Sequence, residues 1–174
     1  MSRFSIRPYL PGDVEAVFEA ASESIAHVSP WMSWLTPAYT RADAEIWVEK
    51  AVSDWGIGSF EHLIIDDADG SIAGSCGLNH LDRVNRYCNL GYWVRSSRLQ
   101  QGAARTATLL LRDFGFTAAA GMNRLEIVVA TGNVPSRKVA ESVGAIHEGI
   151  QRKRLCVGEI SYDAHMFALI RENA

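Results

Sequence analysis

The chain has 174 residues, 48% of them hydrophobic and 21% charged, with 17 lysines and arginines against 20 aspartates and glutamates for a formal net charge of -3. That length suits a single domain over residues 1–174, and that hydrophobic content is enough for a sizeable core and too high for a disordered polymer. There is no basic excess to hold nucleic acid, no apolar run near the ~20 residues of a membrane span and no apolar leader in MSRFSIRPYL, so a cytoplasmic protein is expected. The three cysteines, Cys76, Cys88 and Cys156, lack CxxC spacing and read as thiols, and no metal site is expected.

Residues 5–10 read as a first strand closed by Pro11-Gly12, and Asp13 as the cap of a helix to residue 24 with Val14, Val17, Phe18 and Ala21 on one face. HVSPWMSWLTPAYT follows, and its two prolines bar both a regular helix and a central strand. Thr40 with Asp43 signals a capped helix to about Trp55. Stretches 60–65 and 71–78, joined by Asp67-Ala68-Asp69-Gly70, predict a hairpin. Residues 87–94 alternate as a strand, with Cys88, Leu90, Tyr92 and Val94 on one side. Ala107, Leu110, Leu111, Phe114 and Ala118 then follow helical spacing, with Gly121 as the stop. An apolar strand covers 125–130, where Glu126 is the only charge, and a short helix covers 133–143, capped by Asn133, with Pro135 in its first turn and Gly144 after it. Residues 146–155 and 161–170 form a last hairpin around Val157-Gly158. The order β-α-α-β-β-β-α-β-α-β-β predicts an α+β fold: one mixed sheet of about seven strands with helices on both faces.

The chemistry concentrates around RSSRLQQGAARTATLLLRDF. Here Gly102, Ala103 and Ala104 open a helix with almost no side chain over its free N–H groups. Such a mouth either closes a tight strand-to-helix turn or admits an anion such as a diphosphate, drawn by the unsatisfied amides and the helix dipole. No Gly-Lys-Ser/Thr follows, which excludes a Walker loop, and the three spaced glycines of a dinucleotide fingerprint are missing. The five histidines, His27, His62, His80, His147 and His165, have no ligand spacing and read as surface or half-buried residues.

In order along the chain, IRPYLPGDVEAVFE, PWMSW, DGSIAGSCGL, NLGYWV, QGAARTA, GNVPSRKVAESVGA, HEGIQR and GEISYDAHMFAL resemble the GCN5-related N-acetyltransferase (GNAT) superfamily, and within it the bacterial ribosomal-protein N-acetyltransferases of the RimJ/RimL type. The resemblance implies acetyl-CoA as cofactor, a sheet splayed between its fourth and fifth strands, and a homodimer. It places the pyrophosphate loop on Gln100, Gln101, Gly102, Ala103 and Ala104, with Arg98 and Arg105 adding charge. Leu99 departs from the polar residue usual at the head of this loop. Tyr92, Trp93 and Val94 would pair with the pantetheine arm, and Asn133, Ser136 and Arg137 would lie along the coenzyme. Asn89 stands where relatives often carry an acid, and RKRLC after HEGIQR lacks the glutamate some relatives have there.

The superfamily's reaction is attack of an amine on a bound thioester. An α-amine, with a pKa of ~7.7–8.0 against ~10.4 for lysine, needs only a weak base. The resemblance therefore implies transfer to a protein or peptide N-terminus, with a small-molecule amine or a non-catalytic acyl-CoA-binding module as alternatives. Glu126 is the candidate base, Ser136 the candidate partner of the leaving sulfur, a backbone N–H near Trp93 and Val94 the candidate oxyanion donor, and Trp31 and Trp34 the candidate acceptor wall.

Overall fold

The computed structural model describes residues 2–172. Seven strands form one sheet: β1 (Phe4–Pro8), β2 (Phe60–Asp66), β3 (Ser71–Asp82), β4 (Tyr87–Val94), β5 (Arg124–Ala130), β6 (Ile146–Val157) and β7 (Ile160–Ile170), in the spatial order β1-β2-β3-β4-β5-β7-β6. Every neighbouring pair is antiparallel except β4 with β5, which run parallel. Four α-helices, α1 (Val14–Val28), α2 (Arg41–Ser53), α3 (Ala103–Gly115) and α4 (Val134–Ser142), cover it.

Strand alternation assigns the layers. On β4, Cys88 and Leu90 point into one core with Ala103, Ala107 and Leu111 of α3, Leu125, Ile127 and Val129 of β5, and Ala140 of α4. On the opposite face α1 and α2 pack Val17, Ala20, Ala44, Val48 and Ala51 on Leu63 and Ile72. Complete burial of a leucine such as Leu111 contributes ~1.5–3 kcal/mol. The α3 layer is close-packed: a Cβ on Gly115 would sit 3.0 Å from Leu125 and 3.1 Å from Leu78.

The local signals for α2 and α4 work as their chemistry predicts. Thr40 Oγ1 accepts from the Asp43 amide, and the Asp43 carboxylate accepts from the Thr40 amide at 2.8 Å, a reciprocal capping box. Asn133 Oδ1 accepts from the Ser136 amide at 3.2 Å. Two expectations need correction. Asp13 precedes α1 but makes no capping bond to it; its carboxylate accepts from Arg7 Nη1 and Nη2 at 2.8 and 2.7 Å and from the Leu10 amide at 2.7 Å. And α3 stops at Gly115, not Gly121, because the Met122 amide turns back onto the Gly115 carbonyl and delivers Ala120 and Met122 to the core. Leu110 is accordingly a half-exposed residue outside the core, and Ala118 lies beyond the helix.

Gly74 controls how closely β3 approaches the part of β4 that matters most. Its φ is +148°, and a Cβ there would collide with the carbonyl oxygen of Trp93 and the Cα of Val94. Both colliding groups are backbone, so neither can swing away. We predict that Gly74→Ala destabilises the fold by ~2 kcal/mol or more, read as a lower urea midpoint at unchanged m-value.

Candidate functional site

The parallel pairing of β4 with β5 lasts for only three register positions, Tyr87 with Arg124, Cys88 with Leu125 and Asn89 with Glu126. Beyond Asn89 the two strands part, while β4 stays paired to β3 as far as Val94 and β5 stays paired to β7 as far as Ala130. The Arg95 amide donates to the Ala73 carbonyl, and the Trp93 carbonyl turns toward Gly74. Strand alternation therefore puts the amides of Tyr92 and Val94 on the open side, facing the gap.

Gly102 lies at the far end of β4's exit. It adopts φ +86°, ψ 0° as the residue before α3, and Gln100 is also left-handed at +59°. The turn therefore needs glycine for its backbone. It also leaves room, since nothing lies within 4 Å of the position a Cβ would take. The Thr106 amide is the first to close the helical ladder, on the Gly102 carbonyl at 2.9 Å. The amides of residues 102–105 thus stand at the open end of an amphipathic helix. The residue that closes the tight turn thus also leaves the mouth of the helix unobstructed.

The other residues singled out in the sequence divide between the two faces. On the α3 face, the Tyr92 hydroxyl donates to the Ser136 carbonyl at 3.1 Å and lies 2.9 Å from Ser136 Oγ, tying β4 to the first turn of α4. Burial pushes the Tyr92 phenol up to about 12, so it remains a proton-bearing donor at neutral pH. Arg137, one residue on, pairs with Glu141 at 3.5 Å. On the opposite face, Trp34 packs on Trp93 (ring centroids 5.8 Å apart) and on Tyr39 (5.9 Å), and stays 45% exposed. Trp31 reaches across the gap, against Tyr162 of β7 at 6.1 Å and within 3.2 Å of the Cβ position of Gly132, next to Asn133. The irregular segment between α1 and α2 thus roofs the mouth of the gap with indoles.

Two placements, those of Arg98 and Glu126, differ from the simplest reading of the sequence. Arg98 is not a free cation beside the glycine turn: Nε lies 2.9 Å from Asp66 and Nη2 2.7 Å from Asp69. Glu126 does sit at the apex of the gap, but Arg124 on the same strand engages it at 2.9 Å and also pairs with Glu148. Glu126 is therefore not the lone charge of β5. Arg105 is exposed and donates only a long 3.4 Å bond to the Ser142 carbonyl, and the Gln101 side chain caps Ser97 at 2.9 Å.

The histidines also separate. His27 is built into the support of the gap, with Nε2 2.9 Å from the Val94 carbonyl and Nδ1 3.0 Å from Ser96 Oγ. His147 and His165 contact each other at 3.0 Å between β6 and β7. His62 is buried beside Trp55 and Phe114, and burial pushes its imidazole down to about 4. Glu61, on the same strand, was not singled out in the sequence. It is a buried carboxylate, 6% exposed, that burial pushes up to about 7.

A splayed parallel pair with a glycine-mouthed helix at its end is the arrangement that the resemblance to acyl-CoA-dependent transferases implied. Comparison with known proteins agrees. The family model described as the acetyltransferase (GNAT) domain matches residues 3–146. YdaF of Bacillus subtilis (strain 168), which carries the name of a ribosomal N-acetyltransferase, is 28% identical over 172 residues, covering 96% of this chain and 91% of that protein. The ribosomal-protein-S5-alanine acetyltransferase from Vibrio fischeri superposes with a TM-score of 0.88 at 19% identity, over 99% of this chain and 96% of that one. RimL, a ribosomal L7/L12 alpha-N-protein acetyltransferase in complex with coenzyme A, superposes at 0.85 with 18% identity, over 98% and 95%. The chain belongs to the GNAT acetyltransferase family. It is an acyltransferase, and acetyl-CoA is the family's acyl donor.

Because Arg98 is held by Asp66 and Asp69, its loss should act on stability and not on ligand affinity. Arg98→Gln should cost roughly 1.5–3 kcal/mol in urea unfolding and change the Kd for coenzyme A less than twofold by calorimetry. Asp66, fully buried between Arg3 and Arg98, has its carboxyl pulled down to about 2, chiefly by the Arg3 hydrogen bond. A depressed folded-state pKa stabilises above the unfolded value of ~3.9 and is lost as pH falls toward 2. Asp66→Asn should therefore lack that acid-side loss of stability.

Proposed function

We propose that the protein transfers an acetyl group from acetyl-CoA to the α-amine at the N-terminus of a protein or peptide, a ribosomal protein being the favoured acceptor. The observation that carries this reading is the unobstructed, left-handed Gly102 at the open end of α3, aligned with a gap that leaves β4 amides unpaired. The residues present fit the coenzyme. Amides of Gly102, Ala103, Ala104 and Arg105 would take the diphosphate, and Gln100 supplies the second left-handed turn that aims them. Gap-side amides of β4 at Tyr92 and Val94 would take the amide-bearing arm as a false strand, satisfying backbone groups that otherwise lack a partner.

Acetyl-CoA supplies an acetyl group activated as a thioester. The chain's own residues then have three tasks. A backbone N–H of β4 at Trp93–Val94 would face the carbonyl oxygen as charge develops on it. Ser136 Oγ, backed by Tyr92 and standing in the first turn of α4, would donate to the departing sulfur, where the helix dipole also favours negative charge. Trp31, Trp34 and Trp93 would wall the acceptor side and keep water from it. An α-amine suits this site because it is partly neutral near pH 7, so that a base of near-neutral pKa is strong enough to take its proton. The names of the relatives point the same way: one is a ribosomal N-acetyltransferase by name and another an alpha-N-protein acetyltransferase.

The test is thiol release from acetyl-CoA with peptides that differ only in a free or blocked N-terminus. Turnover confined to free α-amines is expected; turnover of lysine side chains or polyamines at equal kcat/KM would contradict it. Gly102→Val should raise the Kd for coenzyme A by tenfold or more, since it both strains the turn and fills the cradle. Ser136→Ala should lower kcat by roughly 10²-fold while leaving that Kd within twofold.

A further inference from the structure

Glu61 is the buried carboxylate left unused by the roles above. It lies on β2, on the face covered by α1 and α2, in register with Gly77 of β3, which is in register with Gly91 of β4. Its carboxylate extends across Gly77 into space that a Cβ at that position would occupy. One strand further, the Cβ direction of Gly91 is open except for Asn89 Nδ2 at 3.6 Å. Two bare glycines therefore make a trough from Glu61 to the lip of the gap.

The walls of the trough are polar. Asn79 lies close enough to Glu61 to favour its charged form, and Asn79 Oδ1 accepts from Asn89 Nδ2 at 2.9 Å. Asn89 belongs to the last β4–β5 register pair before the strands part. The titratable groups close to Glu61 are Lys50 from α2, itself paired to Asp54, and Tyr9 after β1 on its own face, and Cys76 of β3 on the opposite face. Burial outweighs the pull of Asn79 and Lys50 and holds the carboxyl near neutrality, where a proton acceptor works best at cellular pH. Glu126, by contrast, is engaged by Arg124.

We propose that Glu61 is the proton acceptor on the amine side of the gap, working through one water held over Gly91. This rests on the acetyltransfer reading above. As the new C–N bond forms and the thioester C–S bond breaks, the electron pair leaves with sulfur. The proton shed by the amine passes through the water to Glu61; the thiolate leaves hydrogen-bonded to the Ser136 hydroxyl and takes its proton from solvent, and Glu61 returns its own to solvent before the next turnover. Glu61 never touches the amine, so it is a positioning and proton-relay residue.

The test uses wild type, Glu61→Gln, Gly77→Ala and the double variant, with a hexapeptide bearing a free N-terminal serine, between pH 5.5 and 9. Wild-type kcat should climb through pH ~7, while Glu61→Gln loses about 10²–10⁴-fold and the climb itself, with the Kd for coenzyme A within twofold. Gly77→Ala should displace the carboxylate, lowering kcat in wild type and adding nothing in Glu61→Gln. An unchanged pH profile in Glu61→Gln overturns the proposal. A second readout is independent of turnover: ¹³C NMR of glutamate-labelled protein, with the Glu61 signal assigned by its absence from Glu61→Gln. A carboxyl that titrates near pH 7 and responds to added coenzyme A supports the relay. One that titrates in the ordinary carboxylate range, or ignores the coenzyme, overturns it. Failure of every peptide to turn over, with that titration intact, counts against the acceptor assignment and not against Glu61.

Discussion

Everything in this molecule depends on a hydrogen-bonded ladder that stops early. Parallel pairing between β4 and β5 ends at Asn89 and Glu126, and from there each strand keeps only its outer partner. Backbone amides inside a protein do not stay unpaired without cost, so a sheet that parts in its middle holds an obligation to bind something. An extended molecule carrying amides of its own meets that obligation as a strand would. The surrounding elements keep the gap from zipping shut. Gly74 lets β3 grip β4 at Trp93, and His27 and Ser96 pin the end of β4 to α1.

The gap also divides the chemistry between two faces. Tyr92 and its even-numbered neighbours on β4 belong to the α3–α4 face, where the glycine-mouthed helix and Ser136 stand. Asn89, Gly91 and Trp93 belong to the other, beneath the tryptophans of the α1–α2 segment and in line with Glu61. Under the proposed function, a donor threaded from one side would meet an amine arriving from the other with the reacting carbonyl between them. That separation is a direct product of the two-residue period of a strand.

Much of this was legible in the sequence, for physical reasons that differ by element. Residues 87–94 alternate so cleanly that the observed strand coincides with the expected one, and Asn133, Pro135 and Gly144 bracket α4 because caps and stops are local chemistry. Gly102 could be read as a turn or as a cradle; the structure shows the left-handed turn and open space in front of it. The end of α3 was not legible. Thr117 and three alanines after it favour a continuing helix, but the core's demand for Ala120 and Met122 outweighs propensity and turns the chain at Gly115. Arg98 was hidden for a related reason: its partners, Asp66 and Asp69, lie about thirty residues away and meet it only through the β2–β3 turn. Glu61 in FEHLIID looks like the polar residue of a half-exposed strand. Only the register that sets it over Gly77 reveals a buried carboxylate, and no local pattern encodes that register.

The most direct measurement of the central claim is amide hydrogen exchange, residue by residue, with and without coenzyme A. If the coenzyme arm completes the broken ladder, the gap-side amides of Tyr92 and Val94 and the amides of Ala103–Arg105 should exchange fast in the free protein and slow sharply with ligand. The outward amides of Gly91 and Trp93, already bonded to β3, should barely change. Protection of Tyr92 and Val94 already complete without ligand, or unaltered by saturating coenzyme A, would contradict the account.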